Sequence, residues 1–233
     1  MNDKKIDRRF LIAAALGAAV PLAIGCGRPA VARKLPDPAT PAIKTTVRSE
    51  VAVLAGGCFW GIQGVFAHVK GVTRAVSGYA GGRVVNPSYE QVSTGTTGHA
   101  ESVQVTFDPN QISYGQILQI FFSVGTNPTE LNRQGPDEGT QYRNEIFYTS
   151  PEQKSTAEAY IAQLTAARVF PRPIVTKVSP LNVFYPAEAY HQDYAFLHPE
   201  QPYIFVNDLP KIADLKTSFP SQWREAPIRT ASR

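Results

Sequence analysis

This sequence is poor in the residues on which several classes of protein function depend. It has only two cysteines, Cys26 and Cys58, and no C-x-x-C pair, which argues against a thiol–disulfide oxidoreductase. Its four histidines have no paired spacing of the kind that metal ligands show, so we expect no metal site. Its basic residues form no continuous stripe, and this disfavours nucleic acid as a partner.

The first 26 residues have the pattern of a targeting segment. The start is basic, and residues 10–24 are apolar and nearly uncharged but too short to span a membrane comfortably. The basic residues are Lys4, Lys5, Arg8 and Arg9. The end, Ala23-Ile24-Gly25-Cys26, resembles the lipobox of bacterial lipoproteins except that Ala23 replaces the usual Leu, and the Arg8-Arg9 pair resembles a twin-arginine signal. We therefore expect an exported protein, either periplasmic or anchored to a membrane as a lipoprotein facing the cell exterior.

The rest of the chain divides into three parts. Residues 27–48 contain four prolines and few apolar residues, which is typical of an extended linker. Residues 49–205 have the composition of one globular domain, expected to carry any catalytic site, and residues 206–233 form a C-terminal tail with a short helix candidate at 210–218. Removal of the targeting segment lowers the formal charge from +4 to +2.

Apolar runs and turn residues alternate irregularly along the domain. Strands are predicted over residues 51–55, 72–76, 100–107, 141–148 and 174–178, and a flexible loop over 77–82. Helices are predicted from Phe59, from Ser113 to Val124, after Ser150 and over 187–197, and Ser113 with Gln116 forms a capping box. This order favours an α+β two-layer sandwich, a mixed sheet with flanking helices and a ferredoxin-like core.

Cys58 lies where a predicted strand turns into a predicted helix. Gly56 and Gly57 permit a tight turn there, and the positive end of the helix favours a negative sulfur, so we predict a lowered pKa for this thiol. Phe59 and Trp60, which follow directly, are suited to wall a small apolar pocket. The alternative is an inert core cysteine with aromatic packing around it.

Glu101 alternates with apolar residues in the strand at 100–107. It shares a face with Val103, Val105 and Phe107, and a carboxyl group on a buried face has a raised pKa unless it is paired. A protonated carboxyl group in such a place is a proton donor at neutral pH. The alternative is a strand-end glutamate that reaches solvent.

Other polar residues near turns are weaker candidates. Tyr89 and Tyr142 lie beside turn signals, where hydroxyl groups often face a cleft, although both are equally suited to packing. Asp137 by itself is interpreted as a turn residue. A Cys58–His99 dyad for acyl transfer is conceivable but has no orienting group in the sequence.

Six motifs together resemble the A type of peptide methionine sulfoxide reductase, in that family's order and approximate spacing over residues 51 to 205. They are Gly57-Cys58-Phe59-Trp60-Gly61, Gly78-Tyr79-Ala80-Gly81-Gly82, Asn86-Pro87-Ser88-Tyr89, Thr97-Gly98-His99-Ala100-Glu101, Gly139-Thr140-Gln141-Tyr142-Arg143 and Tyr190-His191-Gln192-Asp193-Tyr194.

The resemblance implies reduction of the S epimer of methionine sulfoxide, free or in proteins. It assigns Cys58 as the nucleophile and Glu101 as the proton donor to the sulfoxide oxygen. It also assigns Phe59 and Trp60 to the methyl group of the substrate, Tyr89 and Tyr142 to its oxygen, and Asp137 to ordering the site. No cofactor is implied beyond an external thiol reductant, thioredoxin-like or other, and we expect a monomer.

One departure from the family concerns regeneration of the thiol. Many members carry resolving cysteines in the C-terminal tail, and this tail has none. Cys26 is the other candidate, and lipidation of Cys26 would remove it, so an external thiol is expected to reduce the sulfenic acid of Cys58. Two rival functions remain open at this point: an exported thiol peroxidase, and a lipid-anchored binding protein in which Cys58 is structural.

Overall fold

The computed structural model describes residues 34–40 and 46–230. The predicted targeting segment and the first part of the predicted linker lie outside these residues. The strands are β1 (Glu50–Gly56), β2 (Val72–Ala80), β3 (Ala100–Phe107), β4 (Arg133–Gln134), β5 (Asp137–Glu138), β6 (Asn144–Tyr148), β7 (Lys177–Pro180) and β8 (Phe184–Pro186). The α-helices are α1 (Phe59–Ala67), α2 (Tyr89–Ser93), α3 (Tyr114–Ile120), α4 (Pro151–Ala166), α5 (Tyr194–Leu197) and α6 (Leu209–Ser218).

Six strands form one sheet in the order β7-β6-β1-β3-β2-β8. Each of the four central strands is antiparallel to its neighbours among the four, and with α1 and α3 they make the β-α-β-β-α-β arrangement of ferredoxin-like folds. The pairing of β6 with β7 is parallel, so the sheet is mixed. The predicted α+β class, the two-layer arrangement and the ferredoxin-like core are therefore confirmed.

The core lies mainly between this sheet and the helices on one face. Alternate side chains of β1 and β3, including Leu54, Val103 and Val105, pack with the buried side of α1 and α3. The intervening residues, among them Val53 and Ala100, pack in a smaller cluster on the other face. The alternation of side chains along these strands thus assigns successive residues to opposite faces of the sheet.

Several predicted elements have different limits in the structure. The predicted loop at 77–82 is largely strand, because β2 continues to Ala80 by pairing with β3 on one side and with the distant β8 on the other. The predicted helix at 187–197 is broken into a 3-10 turn, Ala189–His191, and α5, with Asp193 left-handed at φ 58° between them. The break follows from the Gln192 side chain, which bonds the backbone of Ser77 in β2 through both its amide atoms.

Two further segments differ from their predicted limits. The strand predicted over 141–148 is β6, which begins at Asn144 after a 3-10 turn over Thr140–Tyr142. The helix predicted from Ser113 ends as α3 at Ile120 and continues as a π-helix over Phe121–Gly125. The capping box itself is present, with Ser113 Oγ accepting from the Gln116 backbone and Gln116 Oε1 accepting from the Ser113 backbone.

Residues 34–40 of the predicted linker are extended and lie on the domain. Leu35 is buried, and its backbone exchanges hydrogen bonds with Ser123 and Gln119. The Pro36 carbonyl accepts from the Tyr160 hydroxyl at 2.8 Å. At the other end of the chain, α6 packs on α1 and contributes buried Ile212 and Leu215 to the main core. In the part of the chain that the structure describes, no helix combines the length and apolarity that a membrane crossing needs.

Candidate active site

The candidate site lies at one edge of the sheet, where β1 and β2 end and β3 and β6 begin. Antiparallel pairing places Leu54 opposite Val103 and Gly56 opposite Asn144. Glu101 lies two residues before Val103, and Tyr142 lies two residues before Asn144. Both therefore lie near the end of β1, next to the turn that holds Cys58. The topology thus gathers residues that are up to 84 positions apart along the sequence.

Cys58 is the N-cap residue of α1, as the sequence predicts. The preceding Gly57 has φ +102°, a conformation that favours glycine, and it makes the sharp turn from β1 into the helix. The thiol is a free cysteine and is 6% exposed. Its sulfur is therefore held at the first turn of α1 with little access to water.

Glu101 shares this helix start with Cys58. Its Oε2 accepts a hydrogen bond of 3.0 Å from the backbone N–H of Phe59, the residue after Cys58. Glu101 is only 3% exposed, and burial raises its pKa to about 8, against the lowering effect of the Phe59 N–H. The carboxyl group consequently holds a proton at neutral pH, as the alternation in β3 predicts.

The predicted lowering of the Cys58 pKa is wrong for this arrangement. Burial raises the pKa of the thiol well above its ordinary value, and Glu101 and Asp208 raise it further when they are ionised. The Trp60 backbone N–H and Lys211 oppose them with smaller effects. Desolvation therefore outweighs the helix terminus, and the thiol and the carboxyl group both hold their protons at neutral pH.

Tyr89 and Tyr142 come from different elements and face the same two titratable groups. Burial raises the pKa of both hydroxyls, and the charges of Glu101 and Cys58 act on each of them. Tyr89 is held at the start of α2 because Glu188 Oε1 accepts from its backbone N–H at 2.8 Å. The structure thus brings both tyrosines to the Cys58–Glu101 pair.

Trp60 has a fixed orientation beside Cys58. Its Nε1 donates to His191 Nδ1 at 3.1 Å, and its ring stacks on Tyr194 with centroids 4.0 Å apart and planes 12° apart. Phe59 is fully buried, and its ring contacts His191 at 5.0 Å between centroids. The two aromatics therefore form a rigid wall in which Trp60 alone keeps a partly exposed face.

Asp137 lies in β5, in the two-residue hairpin with β4, rather than in an isolated turn. Its Oδ2 accepts a short hydrogen bond from the Tyr203 hydroxyl, and burial raises its pKa. Its charge also contributes to the raised pKa of Glu101. Asp137 is therefore a member of the same electrostatic group as Cys58 and Glu101.

Comparison with known proteins agrees with this geometry. The family model described as peptide methionine sulfoxide reductase matches residues 50–223. The chain is 56% identical to "Peptide methionine sulfoxide reductase MsrA 2" of Mesorhizobium japonicum, over 81% of this chain and 97% of that protein. It is 51% identical to "Peptide methionine sulfoxide reductase MsrA" of Thermus thermophilus, over 75% of this chain and 98% of that protein.

The chain belongs to the peptide methionine sulfoxide reductase family. Solved structures support the same assignment. Reduced Mxr1 of Saccharomyces cerevisiae superposes with a TM-score of 0.60 at 30% identity, covering 67% of this chain and 90% of that chain. Methionine sulfoxide reductase A of Corynebacterium diphtheriae gives 0.56 at 31% identity, covering 74% and 87%. This peptide methionine sulfoxide reductase is accordingly an oxidoreductase enzyme.

His99 does not form a dyad with Cys58 in this reductase. Its Nδ1 accepts from the Gly82 backbone at 3.1 Å, and its Nε2 lies 2.8 Å from the Val84 carbonyl oxygen. Both ring nitrogens are thus engaged by backbone groups of the loop after β2. Over residues 34–40 and 46–230, no three His, Cys, Asp or Glu side chains group as a metal site would require.

Sequence reasoning missed several residues of the reductase site. His191, which the last of the six motifs contains without an assigned role, orients Trp60, and Glu188 holds Tyr89. Tyr203 lies near the end of the predicted domain. Asp208 and Lys211 lie beyond residue 205, outside the segment expected to carry the catalytic site. No local pattern marks these last three, because their relation to Cys58 arises when α6 packs on α1.

Proposed function

We propose that this reductase acts on the S epimer of methionine sulfoxide, free or in proteins, through Cys58 and a sulfenic acid intermediate. The observation that carries the mechanism is the hydrogen bond from Phe59 N–H to Glu101 Oε2. It places a buried, protonated carboxyl group beside the sulfur that must attack the substrate.

The chemical step balances with these two groups alone. The Cys58 sulfur attacks the sulfoxide sulfur while Glu101 donates its proton to the sulfoxide oxygen. The S–S bond formed in this attack and the substrate S–O bond break as the oxygen passes to Cys58. Cys58 becomes a sulfenic acid and is oxidised by two electrons, and methionine leaves with its sulfur reduced by two electrons. The proton of the Cys58 thiol restores Glu101 to its protonated form.

The walls of the site support selection of one epimer. Trp60, backed by the buried Phe59, offers an apolar surface for the methyl group. Tyr89, Tyr142 and Glu101 offer hydroxyl and carboxyl groups for the oxygen. Because these two surfaces are fixed on different elements around Cys58, exchanging the oxygen and the lone pair of the substrate would point the oxygen away from its donors. Asp137 with Tyr203 orders the rim of the site.

Regeneration of Cys58 is assigned to an external thiol, thioredoxin-like or other. Cys58 is the cysteine that the described residues contain, and the C-terminal tail has none to act as a resolving thiol. Two external thiols reduce the sulfenic acid to the thiol, with release of water and formation of their disulfide.

The N-terminal pattern supports export of this enzyme and repair of exported proteins. Its support is the basic start, the apolar residues 10–24 and the lipobox-like end at Cys26. Cell fractionation and the mass of the mature N-terminus test this part. A mature chain that retains Met1 and remains in the cytoplasm would contradict it.

The decisive experiment supplies methionine S-sulfoxide and R-sulfoxide separately, with dithiothreitol as reductant. Turnover of the S epimer alone is expected. A single turnover without reductant should then leave a sulfenic acid at Cys58 that dimedone traps, which peptide mapping locates. A loss of two hydrogens with no adduct, mapped to Cys26 and Cys58, would show that Cys26 resolves the sulfenic acid and would refute the external-thiol step. Peroxide reduction without sulfoxide reduction would favour the peroxidase instead.

A further inference from the structure

An ion pair from the C-terminal part of the chain lies against the first turn of α1. Asp208 precedes α6 and is 0% exposed, and Lys211 in the first turn of α6 is 20% exposed. Their atoms Oδ1 and Nζ are 3.3 Å apart. Neither residue belongs to the motifs that the sequence reveals.

The absence of a side chain at Gly61 admits this pair. A Cβ at Gly61 would lie 2.2 Å from Asp208 Oδ1 and 3.1 Å from Lys211 Nζ. Gly61 is three residues after Cys58, and residues three apart are neighbours on one side of a helix. The pair therefore lies on the side of α1 that begins with Cys58.

The pair is costly for folding in two respects. A lysine in the first turn of α6 lies at the positive end of that helix, where a cation is unfavourable. Among the residues that the structure describes, none makes a hydrogen bond to the buried Asp208 Oδ2, which leaves this carboxyl oxygen unsatisfied. A buried ion pair is weak evidence for stability, so its position against Gly61 in the first turn of α1 is the more informative observation.

The charges around Cys58 show what the lysine does there. Glu101 from β3 and Asp208 raise the pKa of the thiol, whereas Lys211 lowers it, as it also lowers that of Asp137. The other titratable groups that act on or respond to the Cys58 sulfur are Tyr89, Tyr142 and Tyr203. Of the titratable residues named here, Lys211 is the one that carries a positive charge.

We propose that Lys211, held against Gly61 by Asp208, is a positioning residue that stabilises the negative charge forming on the Cys58 sulfur. The inference rests on the proposed function, because it assigns the lysine to the nucleophile of that reaction. Lys211 acts through Cys58 and does not touch the substrate.

The test compares the full-length protein with Lys211→Met, Lys211→Gln and Lys211→Arg. Alkylation of Cys58 by iodoacetamide is followed over a range of pH without any sulfoxide, and peptide mapping separates Cys58 from Cys26. At pH values below the midpoint of the Cys58 alkylation profile, both neutral variants should react about tenfold more slowly than the wild type. The profile as a whole should shift to higher pH, as expected for loss of one nearby positive charge. Lys211→Arg should retain most of the wild-type rate.

Lys216→Met is the matched control on the same helix. Lys216 pairs with Glu225 at 3.1 Å on the surface, where its side chain is 55% exposed. Its removal should leave the alkylation profile of Cys58 unchanged. The thermal unfolding midpoint of each variant is measured as well. It distinguishes the loss of a charge near Cys58 from weaker packing of α6 on the domain.

Three outcomes would overturn the proposal: neutral variants with the wild-type profile, an arginine variant as slow as the neutral ones, or a shift of the same size in Lys216→Met. A lowered thermal midpoint with an unshifted profile would show that the pair only docks α6. Because alkylation needs no sulfoxide, a wild-type protein without sulfoxide turnover would contradict the proposed function separately.

Discussion

The N-termini of α1 and α3 satisfy their free backbone N–H groups in opposite ways. In α3 the cap is local, since Ser113 and Gln116 bond each other's backbone within three residues. In α1 the N-cap is Cys58, whose side chain makes no capping hydrogen bond, and the Phe59 N–H is bonded by Glu101 from 42 residues away. The start of α3 is therefore stabilised by residues next to it in the sequence. The start of α1 leaves the Cys58 sulfur without a capping role and places the carboxyl group of Glu101 next to it.

The difference is also electrostatic. The cap of α3 uses neutral side chains whose hydrogen bonds are satisfied. The start of α1 gathers a thiol and a carboxyl group whose pKa values are raised, mainly by burial. Substitutions at the two helix starts should therefore separate activity from stability.

The largest effect is expected for Cys58→Ser. It should abolish sulfoxide reduction, a loss of more than about a hundredfold, because a hydroxyl group is a far weaker nucleophile than a thiol and no other thiol replaces it. The domain should stay folded. The measurement is methionine S-sulfoxide turnover with dithiothreitol, alongside circular dichroism, and residual turnover of a few per cent would refute the assignment of Cys58.

Glu101→Gln should slow the single-turnover rate about a hundredfold, the usual scale for loss of a general acid. It should also change the pH dependence of stability. The pKa of Glu101 is about 8 in the folded protein and near 4.5 in the unfolded chain. Between these pH values the folded protein therefore holds a proton that the unfolded chain releases. The free energy of unfolding should fall as pH rises from about 4.5 to 8, by the linkage between proton binding and folding, and the glutamine variant should lack that fall.

Chemical unfolding of both proteins at pH 5 and pH 8 measures this contribution. An unchanged single-turnover rate in Glu101→Gln would show that Glu101 is only structural. Parallel pH dependences of stability would show that its pKa is not raised.

Trp60→Ala should weaken discrimination more than folding. Loss of an aromatic wall around a methyl group is expected to reduce selectivity by about 1 to 3 kcal/mol. The comparison is kcat/KM for methionine sulfoxide and for its ethyl analogue. Equal losses on both substrates would indicate that Trp60 is only packing.

Tyr89→Phe and Tyr142→Phe should each lower kcat/KM by about tenfold or less, the scale of one net hydrogen bond, because the remaining hydroxyl still reaches the oxygen. The double variant should lose more than the sum of the single losses in free energy. Additive losses would show that the two hydroxyls do not substitute for each other.

The smallest effect on activity is expected for Ser113→Ala. It should lower the free energy of unfolding by about 1 kcal/mol, the usual cost of losing a serine cap, and leave sulfoxide turnover unchanged. Urea unfolding and the same activity assay check both. A fall in turnover would contradict the conclusion that the start of α3 serves stability alone.

Local chemistry determined much of this fold. The alternation at 100–107 predicted β3 with its limits and the buried face of Glu101, and the capping box predicted the start of α3, because each depends on residues a few positions apart. The motifs likewise identified Cys58, Glu101, Tyr89 and Tyr142 as a group. These four come together at one edge of the sheet.

Tertiary structure decided the features that depend on distant partners. Pairing with β3 and with the distant β8 extended β2 through a predicted loop, and the Gln192 side chain broke a predicted helix. The sequence indicated a helix terminus beside Cys58, and hence a lowered pKa, but the direction of the shift was set by burial, a property of the packed domain. In the same way, Lys211 reaches the side of α1 that begins with Cys58 only because α6 packs there, and no pattern around residue 211 encodes that contact.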